Sequence, residues 1–223
     1  SKTGKKEKTY LNPKKQISLE NISFGYPGKD ELVLNQMNIS IPVKKVIGIV
    51  GPSGSGKSTL VDILLGLIEP QKGFLKIDGK IINNQNRRSW QNSIGFVAQA
   101  IFLSEGTIAE NVAFGFPKNQ INLKQVDNVL NLANLNEFVQ GLKKGVHTKV
   151  GERGVQLSGG QRQRIGITRA LYHEADILIF DEATSSLDGI TEKMIMQAVH
   201  RFSGEKTIIM IAHRLKTVEK CDQ

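Results

Sequence analysis

The chain has 223 residues, of which 39% are hydrophobic and 23% charged, an ordinary composition for one large globular domain. No run approaches the roughly 18 consecutive apolar residues that a membrane-spanning helix needs. Cys221 is the only cysteine, which excludes an internal disulfide. The formal net charge of +9 raises the question of a nucleic-acid or membrane-surface partner, but much of this charge lies in residues 1–16.

The N-terminal segment, residues 1–16, is polar and holds six lysines against one glutamate, without apolar periodicity. We predict a linker here. Two interpretations remain open: a solvated, flexible segment, or a segment that lies near anionic lipid headgroups.

The predicted strands follow in chain order. An alternating pattern at 17–24 is typical of an edge strand, and a second strand is predicted at 32–41. The continuous apolar runs at 46–50 and 177–180 indicate strands covered on both faces. Further strands are predicted at 73–77, 94–97 and 207–211.

Helical spacing appears at 59–68, 161–172 and 190–202. Strands that alternate with helices predict a parallel α/β core. Between about 100 and 162 we find helical segments at 108–113, 123–133 and 135–142 but no good strand signal, so we predict a helical subdomain there.

Residues 51–58 fit the pattern G-x-x-x-x-G-K-S between an apolar strand and an amphipathic helix. Glycines let backbone N–H groups converge on phosphate oxygens, and the positive end of the following helix favours the same anion. Lys57 supplies a charge for the β- and γ-phosphates, and Ser58 a hydroxyl for Mg²⁺. The alternative is a structural glycine-rich turn. The candidate phosphate-binding residues are Gly51, Ser53, Gly54, Ser55, Gly56, Lys57, Ser58 and Thr59.

Two carboxylates end the apolar strand at 177–180, where an α/β sheet binds its ligand. Asp181 is placed to hold Mg²⁺, and Glu182 to orient or deprotonate an attacking water. The alternative is a strand that exits into solvent. The segment L-S-G-G-Q at 157–161 precedes a helix whose N-terminus is a second anion site or a simple capping turn.

Together, the phosphate loop, L-S-G-G-Q and I-L-I-F-D-E at 177–182 resemble the ABC ATPases, over nearly everything from residue 17 onward. The resemblance implies an α/β fold: a P-loop NTPase (RecA-like) core with an antiparallel β subdomain and an inserted helical subdomain. It implies ATP and Mg²⁺ as cofactors.

The resemblance also assigns roles outside the phosphate loop. It implies that Tyr26 stacks on adenine, that Gln99 senses Mg²⁺ and the γ-phosphate, that Asp188 lies in a loop crossing a dimer interface, and that His213 contacts the γ-phosphate. Relatives often have proline at Ala98 and glycine at Lys44; the second departure puts the shape of that turn in doubt. The signature residues that would face a neighbour's nucleotide are Ser158, Gly159, Gly160 and Gln161.

The implied partner is a second copy of the domain, packed head to tail with ATP between the two. Residues 147–154 and 102–116 resemble exporter segments, the latter the region that meets the transmembrane domain. We therefore expect an excised domain with residues 1–16 as its linker from a membrane domain and a truncated C-terminal end, at the cytoplasmic face of the cell (inner) membrane. The rivals are an ABC ATPase acting on DNA or ribosomes and a P-loop kinase or GTPase. Without sustained heptads between the motifs, we expect no nucleic-acid partner.

Overall fold

A computed structural model describes residues 8–151, 154–181, 193, 196–197, 199–212 and 221–222. The strands are β1 (Gln16–Phe24), β2 (Leu34–Pro42), β3 (Val46–Val50), β4 (Lys72–Ile77), β5 (Lys80–Ile81), β6 (Ile94–Val97), β7 (Gly106–Thr107), β8 (Lys149–Val150), β9 (Ile177–Asp181) and β10 (Thr207–Ala212). The helices are α1 (Lys57–Leu64), α2 (Arg87–Asn92), α3 (Ile108–Val112), α4 (Leu123–Leu132), α5 (Asn136–Gln140) and α6 (Gly159–Tyr172), with single 3₁₀ turns at Lys118–Gln120 and Gly145–His147.

A parallel sheet with strand order β3-β10-β9-β6 forms the centre of the fold. Its central strands β9 and β10 are buried on both faces, whereas the outer strands β3 and β6 each carry an exposed residue, Val50 and Phe96. In β9, Ile177 and Ile179 pack with α1 and the antiparallel sheet, while Leu178 and Phe180 pack with α6 and the helical region. The sheet therefore lies between two hydrophobic layers, and its carboxyl edge carries the ends of β3, β9 and β10 together.

An antiparallel sheet with order β2-β1-β4-β5 covers one of those layers. The prediction that the first strand lies at an edge is wrong, because β1 pairs with β2 on one side and β4 on the other. The partner β4 begins about fifty residues further along the chain, so the local pattern of β1 carries no sign of it. Lys44 adopts φ 59°, so the turn before β3 keeps a left-handed residue without the glycine common in relatives.

The described part of the N-terminal segment, from Lys8 onward, is held against the domain. The backbone N–H groups of Lys14, Lys15 and Gln16 donate to the Asp78 carboxylate at 2.7, 2.8 and 2.9 Å. Leu11 N–H donates to the Ser93 hydroxyl at 2.8 Å. These bonds argue against a flexible segment at residues 11–16, while most of these residues stay exposed to solvent as that interpretation expected, and β1 already begins at Gln16.

Helices dominate residues 100–162, as predicted, but a two-stranded ladder of β7 and β8 joins the ends of this region. The prediction of no strand there is wrong, because pairs of two residues are too short to produce a periodic signal. Helix α1 ends at Leu64 and not at residue 68, since Gly66 adopts a left-handed φ of 66°. Among the described residues, none of the helices is both long and apolar enough to cross a lipid bilayer.

Candidate nucleotide site

A cleft of about 470 Å³ opens at the carboxyl edge of the parallel sheet. It lies there because β3 leads into the phosphate loop while β9 ends at Asp181, and parallel strands finish at the same edge. The residues that line the cleft are Val33, Ser53, Gly54, Gly56, Lys57, Ser58, Thr59, Gln99 and Asp181.

The backbone of the phosphate loop requires glycine at two positions. Gly56 adopts φ 88°, and a Cβ there would lie 2.9 Å from Leu34 Cδ2 and 3.0 Å from Val33 O. Gly54 adopts φ 79°, a left-handed backbone conformation that also favours glycine. Helix α1 starts directly after Gly56, which places its N-terminal N–H groups at the cleft.

Lys57 is 8% exposed, and its ammonium donates to Gly51 O at 2.5 Å and to Pro52 O at 2.7 Å. These bonds use two of its three N–H donors and hold the charge beneath the loop. Within the described residues no carboxylate lies within 4 Å of this ammonium. The loop therefore combines a positive charge with a tight glycine cradle, which fits a polyphosphate anion.

Three oxygen-bearing side chains share the cleft: the Ser58 hydroxyl, the Gln99 amide and the Asp181 carboxylate. Ser58 and Gln99 are exposed, and Asp181 is half-buried at the end of β9. Hydroxyl, amide and carboxylate oxygens suit Mg²⁺, which keeps several waters and takes a few protein ligands beside phosphate oxygens. These residues therefore fit a magnesium ion held next to a bound phosphate.

Tyr26 is placed beside α1 by a turn whose Lys29 N–H donates to Tyr26 O at 3.2 Å, with Gly28 at φ 80°. Its hydroxyl lies 3.0 Å from Thr59 Oγ1, and its ring meets Phe24 edge-on at 5.1 Å. The ring stays 40% exposed. An aromatic surface therefore lies next to the first turn of α1, although Tyr26 is not among the residues that line the cleft.

The start of α6 lies outside this cleft. Ser158 caps the helix: its Oγ accepts from Gln161 N at 3.1 Å, and the Gln161 Oε1 accepts from Ser158 N at 2.9 Å. Ser158 and Gly159 are exposed, and a Cβ on Gly159 would meet nothing within 4 Å. The structure thus brings the phosphate loop, Gln99 and Asp181 together, while none of the four signature residues lines this cleft. Whereas Ser158 and Gly159 are exposed, Gly160 and Gln161 are half-buried.

Three of the predicted site residues, Glu182, Asp188 and His213, lie outside the described residues. Sequence reasoning missed Val33, which lines the cleft, and two polar residues of α6, Gln163 and Arg169. The signal for Gln163 is a polar side chain at a position where the helical period places the buried face of the helix.

Arg169 connects α6 to the segment 102–116. Its guanidinium donates to Asn111 O at 2.7 Å, to Asn111 Oδ1 at 2.8 Å and to Phe102 O at 2.7 Å. Asn111 is fully buried and also bonds Ser104. Burial lowers the pKa of the Arg169 guanidinium, which nonetheless stays charged at neutral pH.

Comparison with known proteins decides the family. The family model described as ABC transporter matches residues 34–185, more than half of the chain. The chain belongs to the ABC transporter family. This ABC transporter domain binds ATP and is an ATPase, on the P-loop NTPase fold that the motifs predicted.

The proteins that are similar to this chain are much longer than it is. ABC transporter B family member 18 of Arabidopsis thaliana is 42% identical over 215 residues, covering 94% of this chain and 18% of the relative. An ATP-dependent lipid A-core flippase of Cupriavidus pinatubonensis is 40% identical over 94% of this chain and 36% of its own length. The solved structure of a bacterial Atm1-family ABC exporter with ATP bound matches with a TM-score of 0.85 and 35% identity, over 97% of this chain and 38% of that one. The chain thus spans well under half the length of these relatives.

Proposed function

We propose that the chain binds ATP with Mg²⁺ in the cleft at the phosphate loop and hydrolyses it while paired head to tail with a second copy. In this pair, Ser158, Gly159, Gly160 and Gln161 of each copy complete the other copy's nucleotide site. The observation that carries the proposal is the open signature: Ser158 is exposed and Gly159 has free space around it, although both lie outside their own chain's cleft.

Within one copy, we assign each side chain of the site a separate role. Lys57 and the N–H groups of the loop hold the phosphates, and the exposed Tyr26, which contacts Thr59 in the first turn of α1, offers its ring to the adenine. Ser58, Gln99 and Asp181 would hold the magnesium ion, whose positive charge offsets the charge that develops on the phosphate oxygens. Glu182 follows Asp181 directly in the chain, and we assign it the role of orienting or deprotonating the attacking water. Asp188 and His213 keep the roles that the resemblance implies.

The pairing makes association depend on the nucleotide. The exposed N-terminus of α6 favours an anion because its first N–H groups lack helical partners. A γ-phosphate held by the neighbour's loop would supply that anion, and its loss on hydrolysis would weaken the pair. ATP therefore acts as a ligand shared between two copies.

The larger assembly we propose is an exporter at the cytoplasmic face of the cell membrane, with residues 1–16 leading from its membrane domain. The supporting surface includes Phe102, which is 76% exposed, and Phe114 and Phe116, which are partly exposed. Beside them a groove of about 460 Å³ is lined by Lys8, Arg88 and Arg169 and by no carboxylate among the described residues. Its aromatic and basic lining fits a segment of the transmembrane domain that carries apolar and acidic side chains, and we propose no nucleic-acid partner.

The test of this function uses Glu182→Gln, which should keep nucleotide binding while nearly abolishing turnover. We expect this variant to form an ATP-dependent dimer in analytical ultracentrifugation with Mg²⁺, whereas the wild type should show a rate of ATP hydrolysis that rises with the square of protein concentration at low concentration.

Two controls accompany the test. Glu205→Gln changes an exposed carboxylate in the turn before β10 and should behave as wild type. Adding Lys57→Ala to Glu182→Gln should remove both ATP binding and the dimer. A Glu182→Gln protein that binds ATP and stays monomeric at saturating nucleotide would refute the shared site.

A further inference from the structure

Helix α6 passes both of the regions that the proposed function assigns to ATP. It starts at the exposed Ser158 cap, and Gln163 lies five residues further, about 7.5 Å along the axis at 1.5 Å per residue. There the helix packs against the segment that follows β6, which carries Gln99 into the cleft. One rigid element therefore adjoins the site that faces the chain's own nucleotide and the site that would face the neighbour's.

Gln163 makes a specific contact at this crossing. Its side chain is 4% exposed, and its Nε2 donates to the carbonyl of Ala98 at 3.1 Å. Ala98 is the residue directly before Gln99. A buried amide is costly to leave unpaired, so this bond fixes the backbone at Ala98 relative to α6.

One turn further along, Gly166 brings the same two segments into close contact. A Cβ at Gly166 would lie 2.4 Å from Ile101 Cδ1 and 3.5 Å from Val97 Cγ1. Positions 163 and 166 are three residues apart and share one helix face. The residues on both sides of Gln99 are therefore held by one face of α6, by a hydrogen bond before it and by close packing after it.

We propose that Gln163 is a positioning residue that couples the two half-sites, so that the position of Gln99 at its own nucleotide sets the orientation in which α6 presents Ser158 to the neighbour. This rests on the proposed function, because it assumes that Ser158 meets a nucleotide on a second copy. The bond to Ala98 is the path of the coupling: it makes the backbone at Gln99 and the helix move as one body.

The coupling has a quantitative consequence. Without the bond, α6 samples orientations in which Ser158 is not presented, and only a fraction of the molecules can pair. Because both copies of the pair must present Ser158, the apparent dissociation constant of the dimer rises by the inverse square of that fraction. A fall of the fraction to about a third therefore raises the dimer dissociation constant about tenfold, which corresponds to about 1.4 kcal/mol. Binding of ATP to a single copy does not involve Ser158 and should not change.

The experiment compares Gln163→Met with Thr168→Val, both made in the Glu182→Gln background of the full chain. Methionine keeps the length and volume of glutamine but cannot donate. Thr168 is fully buried on the same helix, and its hydroxyl donates to Ile165 O at 2.7 Å, inside α6. Thr168→Val therefore removes a buried hydrogen bond of α6 without touching the Gln99 segment.

We expect Gln163→Met to raise the ATP-dependent dimer dissociation constant at least tenfold, measured by ultracentrifugation. The affinity of the monomer for a fluorescent ATP analogue should stay within about twofold. Thr168→Val should lower the melting temperature while leaving both constants unchanged. Gln163→Asn, whose side chain is one methylene shorter and does not reach Ala98, provides a second variant if the methionine protein does not fold. We expect the same result for it: a weakened dimer and an unchanged affinity of the monomer for the ATP analogue.

The outcomes separate the two proposals. If Glu182→Gln alone forms no dimer with ATP, the proposed function fails, and the coupling fails with it. If it does dimerise and Gln163→Met dimerises equally well, Gln163 has only a structural role and the coupling alone is refuted. Equal losses of monomer ATP affinity and dimer affinity would also refute it, since they would place the effect inside the cleft.

Discussion

Replacing Arg169 with lysine removes the guanidinium that ties α6 to the segment 102–116. The arginine donates three charge-assisted bonds of 2.7–2.8 Å to Asn111 and Phe102, and its guanidinium carbon lies 4.9 Å from the centre of the Phe114 ring. A lysine ammonium keeps the charge, but it is a single nitrogen and cannot reproduce the planar fork that serves three acceptors at once.

The size of the destabilisation by Arg169→Lys follows from the hydrogen bonds that are lost. Hydrogen bonds to charged groups contribute about 1.5–3 kcal/mol each, and the variant keeps one of the three. Because Arg169 is half-exposed, water replaces part of the loss, so we expect a destabilisation of about 2–3 kcal/mol. For a chain of this size, each kcal/mol lowers the melting temperature by about 2–4 °C, which predicts a fall of about 5–10 °C.

Thermal unfolding followed by circular dichroism measures this fall. The matched control is Arg162→Lys, which makes the same chemical change at an exposed position of the same helix and should shift the melting temperature by less than about 2 °C. If the two variants melt within 2 °C of each other, the network around Asn111 does not stabilise the domain as the distances indicate.

Three further predictions concern the site and the docked N-terminal segment. Gly56→Ala should weaken binding of a fluorescent ATP analogue at least tenfold through steric overlap, while Gly79→Ala, with a similar φ of 82° and nothing within 4 Å, should bind normally. Tyr26→Phe should change that affinity less than threefold because the ring remains, whereas Tyr26→Ala should lower it about tenfold. Burial raises the pKa of the Asp78 carboxyl, but three backbone N–H donors outweigh it and hold the pKa below its usual value. Asp78→Asn should therefore lower the melting temperature at pH 7, and the gap to wild type should close as the pH falls below about 4.

The sign of the last effect follows from linkage. A carboxyl whose folded pKa is depressed stabilises the fold above its unfolded pKa, and this contribution is lost as the pH falls through the folded pKa. A constant gap between wild type and Asp78→Asn down to pH 3 would show that the three bonds do not discriminate between the charged and neutral carboxyl.

The placement of the candidate site could be predicted from short segments because the proposed chemistry needs particular residue types at fixed spacing. The phosphate loop, with Lys57 and Ser58, and the apolar strand that ends at Asp181 both lie where the patterns predict. The fold class followed from the alternation of buried strands with helices, since strands covered on both faces leave a continuous apolar run. The roles assigned to all of these site residues stay predictions, and Glu182, Asp188 and His213 also lie outside the described residues.

Contacts between segments that are distant in the chain could not be predicted from the sequence, and the wrong predictions mainly concern such contacts. The interior place of β1 depends on β4, and the ordering of residues 11–16 depends on Asp78 and Ser93, more than sixty residues away. Helix α2 was not predicted because its six residues give no periodic signal. Its Trp90 is nevertheless fully buried, and the indole N–H donates to Leu64 O.

By itself the sequence determined which groups can bind phosphate and metal, because that chemistry depends on local residue types and on the turn that glycines allow. Only the tertiary structure decided which of these groups meet. It placed Gln99 beside Lys57, kept Ser158 apart from both, and put Gln163 against Ala98, 65 residues away along the chain. The physical reason is that such contacts are set by how helices pack on the sheet, and the energy of that packing is shared among residues distant in sequence.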